Sequence, residues 1–334
     1  MKKNQMSKIV NTCTVILLFL AISIIFPVSI CHASNHHKNG LKHILLVYTS
    51  SDYGEIAHCG CRHPAGGLPW RAGAIKQLRK QGIPILLVDA GDIFIRQSYR
   101  TGPYSLAIVK AMNKMGYNAI CLGDEGLRTG STLLHILKAA RFKIVLSNIT
   151  IPKLSKIKNI TPYAIEDIDG IKIGIISLID PQLVTGQFIK TAFPKIHTRA
   201  MIPVAKKYIK LLHKKTEIIV LLAHMSLRTL EKLLKQVKGI NIAVVGHFPN
   251  AYNGVINING CLIVQSGRAG RQLGVLSLTI NKKGIITSYH NKLITLDSSV
   301  PSDKQVQNIV KQAHRGVMLY WRNKFQKVNT KRGQ

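Results

Sequence analysis

The chain has 334 residues, of which 46% are hydrophobic and 18% are charged, and this composition excludes an intrinsically disordered protein. Its 47 Lys and Arg residues against 14 Asp and Glu residues give a formal net charge of +33, which attracts phosphorylated small molecules and other anions. The basic residues are spread along the chain, without an arginine-rich run or interleaved aromatic residues. This distribution argues against a protein dedicated to binding nucleic acid.

The first 33 residues have the pattern of an export signal. Lysines precede an apolar stretch, 15–26, and small residues suited to a signal peptidase end at Ala33. We therefore predict a signal peptide over 1–33 and an exported protein, periplasmic or otherwise extracytoplasmic. An uncleaved anchor over 9–30 is the alternative. No later segment is long and apolar enough to predict a transmembrane span.

Apolar runs alternate with helix-like stretches from residue 42 onward, which predicts an α/β fold. The predicted strands are 43–49, 83–88, 118–122, 142–147, 171–179, 217–223 and 240–245. The predicted helices are 68–81, 104–115, 131–140, 200–214 and 226–237.

After residue 251 the pattern changes to short strands with Gly and Asn turns, followed by a final amphipathic helix from Ser302 to Phe325. We therefore predict one domain over 42–298 and a C-terminal helix with a polar tail over 299–334.

Polar residues follow four of the predicted strands, where open α/β sheets place their sites. They are Asp92 in "DAGD", Asp124 with Glu125 in "GDEG", His224 in "AHMS" and His247 in "GHFP". Each of them alone is most simply a turn or capping residue. Together, two carboxylates and two imidazoles suit a divalent transition metal such as Zn, Mn or Fe.

The ordered motifs resemble the 5'-nucleotidase branch of the calcineurin-like metallophosphoesterases. "LLVDAGDIF" is similar to that family's strand and GD motif, and "AMNKMGYNAICLGDEGLRTG" to its "MNxLGYDAxxxGNHEFDxG". "VLLAHMS", "INIAVVGHFPN" and "GGLPWRAGAIKQLRKQ" are similar to its middle histidine strand, its GHxH segment and its first helix. The resemblance runs from about Leu45 to Leu296 and implies a four-layer α/β/β/α sandwich. Because few residues follow Leu296 in this sequence, we expect the family's C-terminal substrate domain to be absent.

The resemblance implies one retained metal position, and Asp92, Asp124, His224 and His247 stand at its four ligand positions. Glu125 stands where the family has its catalytic histidine. An ionised carboxylate is a poor proton donor, so only weak hydrolysis of phosphate esters is expected.

A second metal position of the family is largely missing. Ser51 and Tyr53 replace the ligands of its D-x-H motif, and Pro249 replaces the last His of GHxH. Asp52 is one residue out of register and is expected to point to the other face of the strand. Arg128 stands where the family has the partner of its catalytic histidine.

The segment "GEIAHCGCRHPAGGLPWRAG" is unusual, because Cys59 and Cys61 are flanked by His58 and His63. The two cysteines are candidates for a redox pair or a second metal site, the latter with the histidines. A disulfide to Cys121 or Cys261, or a loop without chemistry, is the alternative. Covalent haem is not expected because C-x-x-C-H is absent, and no nucleotide cofactor is expected.

Two functions are therefore open, and a third, binding to a polyanion or a membrane surface, rests on the charge alone. The first is an exported, metal-dependent hydrolase of phosphate esters, whose partner is a phosphorylated small molecule or another anion. The second is a non-catalytic relative that binds a metal or a redox partner through the Cys59/Cys61 loop.

Overall fold

The computed structural model describes residues 40–94, 101–247 and 249–332, and the side chains of Thr101 and of 323–332 are not described. The predicted signal peptide therefore lies outside the described residues. No helix among the residues described is long and apolar enough to cross a membrane.

Strands and helices alternate along the first two thirds of the chain, and strands dominate the last third. The strands are β1 (Lys42–Thr49), β2 (Ile85–Asp89), β3 (Ala119–Cys121), β4 (Lys143–Val145), β5 (Ile149–Thr150), β6 (Ile160–Thr161), β7 (Ala164–Ile168), β8 (Ile171–Ile179), β9 (His197–Thr198), β10 (Ile218–His224), β11 (Ile242–Gly246), β12 (Ala251–Ile258), β13 (Cys261–Ser266), β14 (Gln272–Ile280) and β15 (Ile286–Thr295). The helices are α1 (Leu68–Arg79), α2 (Thr101–Met115), α3 (Gly123–Leu127), α4 (Leu133–Lys138), α5 (Gln187–Ala192), α6 (Met201–Leu212), α7 (Leu227–Gln236) and α8 (Lys304–Arg332).

Two large sheets carry the fold. The first has seven strands in the order β15-β14-β1-β2-β3-β4-β6, and the second has six in the order β12-β13-β11-β10-β8-β7. The strands from β1 to β6 in the first sheet are parallel, as are β8, β10, β11 and β13 in the second. Antiparallel strands complete the edges, with β14 and β15 on one sheet and β7 and β12 on the other. The carboxyl ends of the central parallel strands in each sheet therefore lie along one edge.

Strand β10 illustrates how the layers form, since successive side chains of a strand point to opposite faces. Every residue of this strand is buried, so both of its faces are covered. Alternate residues belong to the core shared with the first sheet: Ile218, Val220 and Leu222. The residues between them pack in a second core, with α6 and α7: Ile219, Leu221 and Ala223. Helices α1 and α2 contribute to the first core, which gives the predicted four-layer α/β/β/α arrangement.

Helix α8 is part of this packing. Its buried residues Val306, Val310 and Ala313 join the first core, and the helix packs on α1 and α2. The predicted helix was too short, because the observed one continues past Phe325 to Arg332.

Short elements were missed by the sequence prediction. Helix α3 occupies the "GDEGL" segment, whose two glycines have low helix propensity. Strand β7 lies at the edge of its sheet and has a weak burial pattern. By contrast, β8 has the predicted bounds of 171–179.

Candidate metal centre

Four side chains converge from the carboxyl ends of neighbouring strands. Asp92 follows β2 and Asp124 follows β3, which are adjacent in the first sheet. His224 ends β10 and His247 follows β11, which are adjacent in the second sheet. One ligand atom from each of the four lies within 4.8 Å of all the others. The structure thus brings together the residues that the sequence predicted as metal ligands.

The carboxylates and imidazoles alternate around the cluster. His224 Nε2 lies 3.1 Å from Asp124 Oδ1 and 3.4 Å from Asp92 Oδ1. His247 Nδ1 lies 3.3 Å from Asp124 Oδ1 and 3.9 Å from Asp92 Oδ2. Asp92, Asp124 and His224 are buried, whereas His247 is partly exposed. Access to the cluster from solvent is therefore on the His247 side.

A backbone carbonyl orients the buried imidazole. His224 Nδ1 donates a hydrogen bond to the Ala90 carbonyl oxygen at 2.9 Å. In the neutral ring this bond places the proton on Nδ1, so that the Nε2 lone pair faces the carboxylates. Such an arrangement is typical of a metal-ligating histidine.

The turns that present the ligands have constrained backbones. Asp92 and His247 have φ values of 60° and 56°, in the left-handed region that non-glycine residues seldom occupy. Gly91 has φ 105°, and a Cβ there would lie 2.6 Å from His224 Nδ1. The close approach of the Gly91 turn to the imidazole therefore requires glycine.

The carboxylates and imidazoles of the cluster shift one another's pKa. Burial opposes ionisation of Asp124, but hydrogen bonds with His224 and His247 hold its pKa well below the ordinary value. Burial alone would lower the pKa of His247, but the hydrogen bond with Asp124 and the nearby Asp92 raise it to about 9. Burial would likewise lower the pKa of His224, but the charge of Asp92 and the Asp124 hydrogen bond outweigh it and raise this pKa. Without a metal, the site therefore favours protonated imidazoles beside an ionised Asp124.

The donor set fits a divalent transition metal. It offers two carboxylate oxygens and two imidazole nitrogens, which are ligands that Zn, Mn and Fe accept. Among the described residues, Asp92 Oδ2 is buried and accepts no hydrogen bond. His247 Nδ1 lies 3.9 Å from this oxygen, beyond hydrogen-bond distance, and a metal ion would supply the partner that it lacks.

Glu125 and Arg128 lie beside the cluster. The Glu125 backbone N–H donates to Asp92 Oδ1 at 3.0 Å, and Arg128 Nε lies 3.2 Å from Asp124 Oδ2 and 3.8 Å from Glu125 Oε1. Asp124 thus directs one oxygen to the histidines and the other to a guanidinium group. The charge that Asp124 adds where the family has Asn is therefore partly offset by Arg128.

The loop after β1 runs along the Asp92 turn. The Ser51 N–H donates to the Gly91 carbonyl at 2.7 Å, and the Tyr53 N–H donates to the Asp92 carbonyl at 2.8 Å. The loop thus keeps contact with the Asp92 turn, but it carries a hydroxyl and a phenol where the resemblance implies an Asp and a His.

Asp52 does not join the cluster. Its carboxylate pairs with the fully buried Arg71 of α1 at 2.6 Å. Asp89 lies nearby, and its Oδ2 accepts a hydrogen bond from the Thr49 hydroxyl at 2.6 Å. The Thr49 hydroxyl also forms a hydrogen bond of 2.9 Å with the Tyr117 hydroxyl. Burial, helped by the charge of Asp52, raises the pKa of Asp89 well above its ordinary value. Sequence reasoning missed this buried polar network.

Cys59 and Cys61 form a disulfide, while Cys121 and Cys261 are free and buried. The alternative pairing of the loop with Cys121 or Cys261 was therefore wrong. Cys61 and its neighbour His63 are exposed, and Cys59 is half-buried. In this disulfide form the loop offers no thiolate ligands, so the proposed second metal site has only its histidines.

The chain is similar in sequence to known nucleotide-hydrolysing proteins by name. No family model matches the chain. The chain is 27% identical over 307 residues to snake venom 5'-nucleotidase of Gloydius brevicauda, covering 84% of this chain and 50% of that protein. It is 23% identical over 299 residues to the trifunctional nucleotide phosphoesterase protein YfkN of Bacillus subtilis, covering 78% of this chain and 20% of that protein. The chain thus spans half or less of the length of these relatives.

Solved structures have the same fold. The 5'-nucleotidase precursor from Thermus thermophilus superposes with a TM-score of 0.73 at 24% identity, covering 83% of this chain and 59% of that one. The calcineurin-like phosphoesterase YfkN from Bacillus subtilis superposes with a TM-score of 0.70 at 22% identity, covering 84% and 99%. The predicted resemblance to the 5'-nucleotidase branch of the calcineurin-like metallophosphoesterases is confirmed, and so is the predicted fold class.

Proposed function

We propose that this chain is an exported, metal-dependent phosphoesterase that uses one divalent metal ion held by Asp92, Asp124, His224 and His247. The convergence of these four donors within 4.8 Å is the observation that supports it best. The relatives are by name a 5'-nucleotidase and a nucleotide phosphoesterase, and the fold is that of a calcineurin-like phosphoesterase. Zn, Mn and Fe all suit the donor set.

Asp92, Asp124, His224 and His247 would hold the ion, which would supply activation of water as a nucleophile and polarisation of a phosphoryl oxygen. The protein's own part is to hold the ligands in place. The Ala90 carbonyl fixes the His224 ring, and Arg128 holds the outer oxygen of Asp124. The net charge of +33 favours the approach of anionic esters.

Glu125 is proposed as the proton-handling residue, because it stands where the resemblance implies the catalytic histidine. Its Oε1 atom lies 3.8 Å from Arg128 Nε. A carboxylate in its ionised form is a poor proton donor to a leaving alkoxide. Hydrolysis is therefore proposed to be slow, and faster for esters whose leaving group needs no proton.

The test is hydrolysis of phosphate monoesters and diesters, including nucleoside monophosphates, with Zn, Mn or Fe supplied separately. The His224→Ala variant is expected to lose metal-dependent turnover, and the exposed His290 provides a matched His290→Ala control that is expected to keep it. Absence of turnover from the folded, metal-loaded protein with every ester would contradict the proposal.

A second candidate function is thiol–disulfide exchange at the Cys59–Cys61 bond, and the exposure of Cys61 favours it. A thiolate of an external dithiol would attack Cys61 Sγ, form a mixed disulfide and release the Cys59 thiolate. The second thiolate of the dithiol would then close its own disulfide and release Cys61. The dithiol is oxidised, and the loop gains two electrons and two protons.

Alkylation after mild reduction tests this candidate. Burial raises the pKa of Cys121 to about 12 and that of Cys261 also to about 12, so both thiols should react slowly. Labelling of Cys59 and Cys61 well before the buried pair is expected. Equal labelling rates at all four positions would count against an exchange site.

A further inference from the structure

The second half of α8 carries an exposed surface that the proposed hydrolase does not use. Met318 is 70% exposed, Leu319 56% and Tyr320 48%, which is unusual for three consecutive large hydrophobic residues. The preceding part of the same helix is anchored, since Val306, Val310 and Ala313 pack in the core. The exposed residues therefore sit on a helix that is held firmly at its other end.

Helical geometry gathers two of these residues into a stripe. Residues three and four apart share one face of an α-helix, and Arg315, Met318, Leu319 and Arg322 have the spacing i, i+3, i+4, i+7. All four are exposed. At 100° per residue they lie opposite the face that contains Val310. We call this set the basic–apolar stripe.

Its apolar centre is flanked by arginines, and the whole helix is basic. Lys304–Arg332 contains eight Lys and Arg residues and no Asp or Glu. The chain as a whole has a net charge of +33. A second copy of this chain would bring equal charges together, so self-association through the stripe is disfavoured.

We propose that the basic–apolar stripe docks α8 on an anionic lipid surface. Met318 and Leu319 enter the boundary between headgroups and acyl chains, and Arg315 and Arg322 contact the anionic headgroups. Tyr320 lies about 100° beyond Leu319 around the helix and is not part of the stripe. A nucleic acid would satisfy the charges but would leave the apolar pair without a role.

Fluorescence of Trp321 tests the proposal in the full chain. The protein has two tryptophans, so Trp70→Phe leaves Trp321 as the only reporter, next to the stripe. Its emission is expected to be quenched by brominated vesicles that contain phosphatidylglycerol, and much less by brominated phosphatidylcholine alone. The readout is local, so a vesicle contact made elsewhere on the chain does not imitate it. Added salt should weaken the quenching.

Variants distinguish vesicle binding through the basic–apolar stripe from non-specific hydrophobic binding. Met318→Ser with Leu319→Ser is expected to weaken vesicle binding about tenfold or more, because the inserted apolar area is lost. Arg315→Gln with Arg322→Gln should reduce the preference for anionic vesicles. Phe188→Ser is the matched control, since Phe188 is 44% exposed and belongs to α5, a different helix. Unchanged midpoints of denaturant unfolding verify that the variants are folded.

Three results would overturn the proposal. They are absence of Trp321 quenching by anionic vesicles, equal quenching in the Met318/Leu319 double variant, and a Trp321 response to single-stranded RNA but not to vesicles. The last result would mean that the stripe binds a polyanion and not a lipid surface. None of these readouts depends on hydrolysis, so they are independent of the proposed phosphoesterase function.

Discussion

Protons compete with a metal ion for the imidazole of His247. Its pKa is raised to about 9 in the metal-free site, so the imidazolium form dominates at neutral pH. A metal ion needs the neutral ring and must displace that proton. Metal affinity is therefore expected to rise as the pH increases from 6 to 8 and to level off above about 9.

Competition with a chelating dye over this pH range measures the effect. In the His247→Ala variant the remaining affinity should depend less steeply on pH, since one titrating ligand is gone. A metal affinity that is independent of pH in the unaltered protein would refute the assignment of His247 as a ligand.

Arg128 is expected to weaken metal binding while it supports binding of the anionic substrate. Its guanidinium is 3.2 Å from Asp124 Oδ2 and opposes a cation at the cluster. Arg128→Gln should therefore lower the metal Kd roughly threefold to tenfold, a small effect because the side chain is partly exposed. The same substitution should weaken binding of inorganic phosphate to the metal-loaded protein.

Isothermal titration with metal, and then with phosphate, separates these two effects. Arg228 is exposed on α7, and Arg228→Gln is the control for loss of a positive charge. Weaker metal binding in Arg128→Gln would mean that Arg128 mainly positions Asp124 and does not repel the ion.

The ligand cluster could be predicted from the sequence because each of its members directly follows or ends an apolar run. That position places a side chain at the carboxyl edge of a parallel sheet, and this placement does not depend on which side chains pack around it. The Arg71–Asp52 pair could not be predicted in this way. Arg71 follows Trp70 in a helix and has no local sign of burial, and its partner lies 19 residues earlier in the chain. Buried pairs of this kind depend on tertiary packing, which periodicity does not encode.

At the scale of elements, the long buried strands were predictable and the short ones were not. Strand β8 has nine residues, of which eight are buried, so the sequence shows a long apolar run that predicts a buried strand. β5, β6 and β9 have two residues each, too few for any periodic pattern. The length of α8 was underestimated because Met318, Leu319 and Tyr320 are exposed, so the apolar spacing there is no longer set by burial.

The contact between α1 and the segment before α8 leads to a stability prediction. Gly73 is buried in α1, and a Cβ there would collide with the carbonyl oxygen of Pro301. Gly73→Ala is therefore expected to lower the free energy of unfolding by about 1–3 kcal/mol, despite the better helix propensity of Ala. The collision is with backbone, which cannot be relieved by a rotamer change.

Urea unfolding of the variant measures this loss. Among the described residues, no atom lies within 4 Å of the corresponding Cβ position at Gly102 of α2, so Gly102→Ala should be neutral or stabilising. A Gly73→Ala protein as stable as the parent would show that the Pro301 segment is free to move away from α1.

At the scale of the whole molecule, the dominant physical feature is charge. A net charge of +33 on 334 residues means that like charges repel each other across the folded surface. Unfolding moves these charges apart, so repulsion favours the unfolded chain. The two buried cores offset this cost, and screening by salt should reduce it.

The free energy of unfolding in urea is therefore expected to increase as sodium chloride is raised from about 20 mM to about 200 mM, because the Debye length falls from roughly 20 Å to about 7 Å and the repulsion is screened. Urea is the suitable denaturant, since guanidinium chloride is itself a salt and would hide the effect. Acetylation of surface lysines removes positive charge and should flatten the salt dependence in proportion to the number modified. Stability that falls with added salt would mean that local ion pairs, such as Lys76 with Asp303, contribute more than the general repulsion.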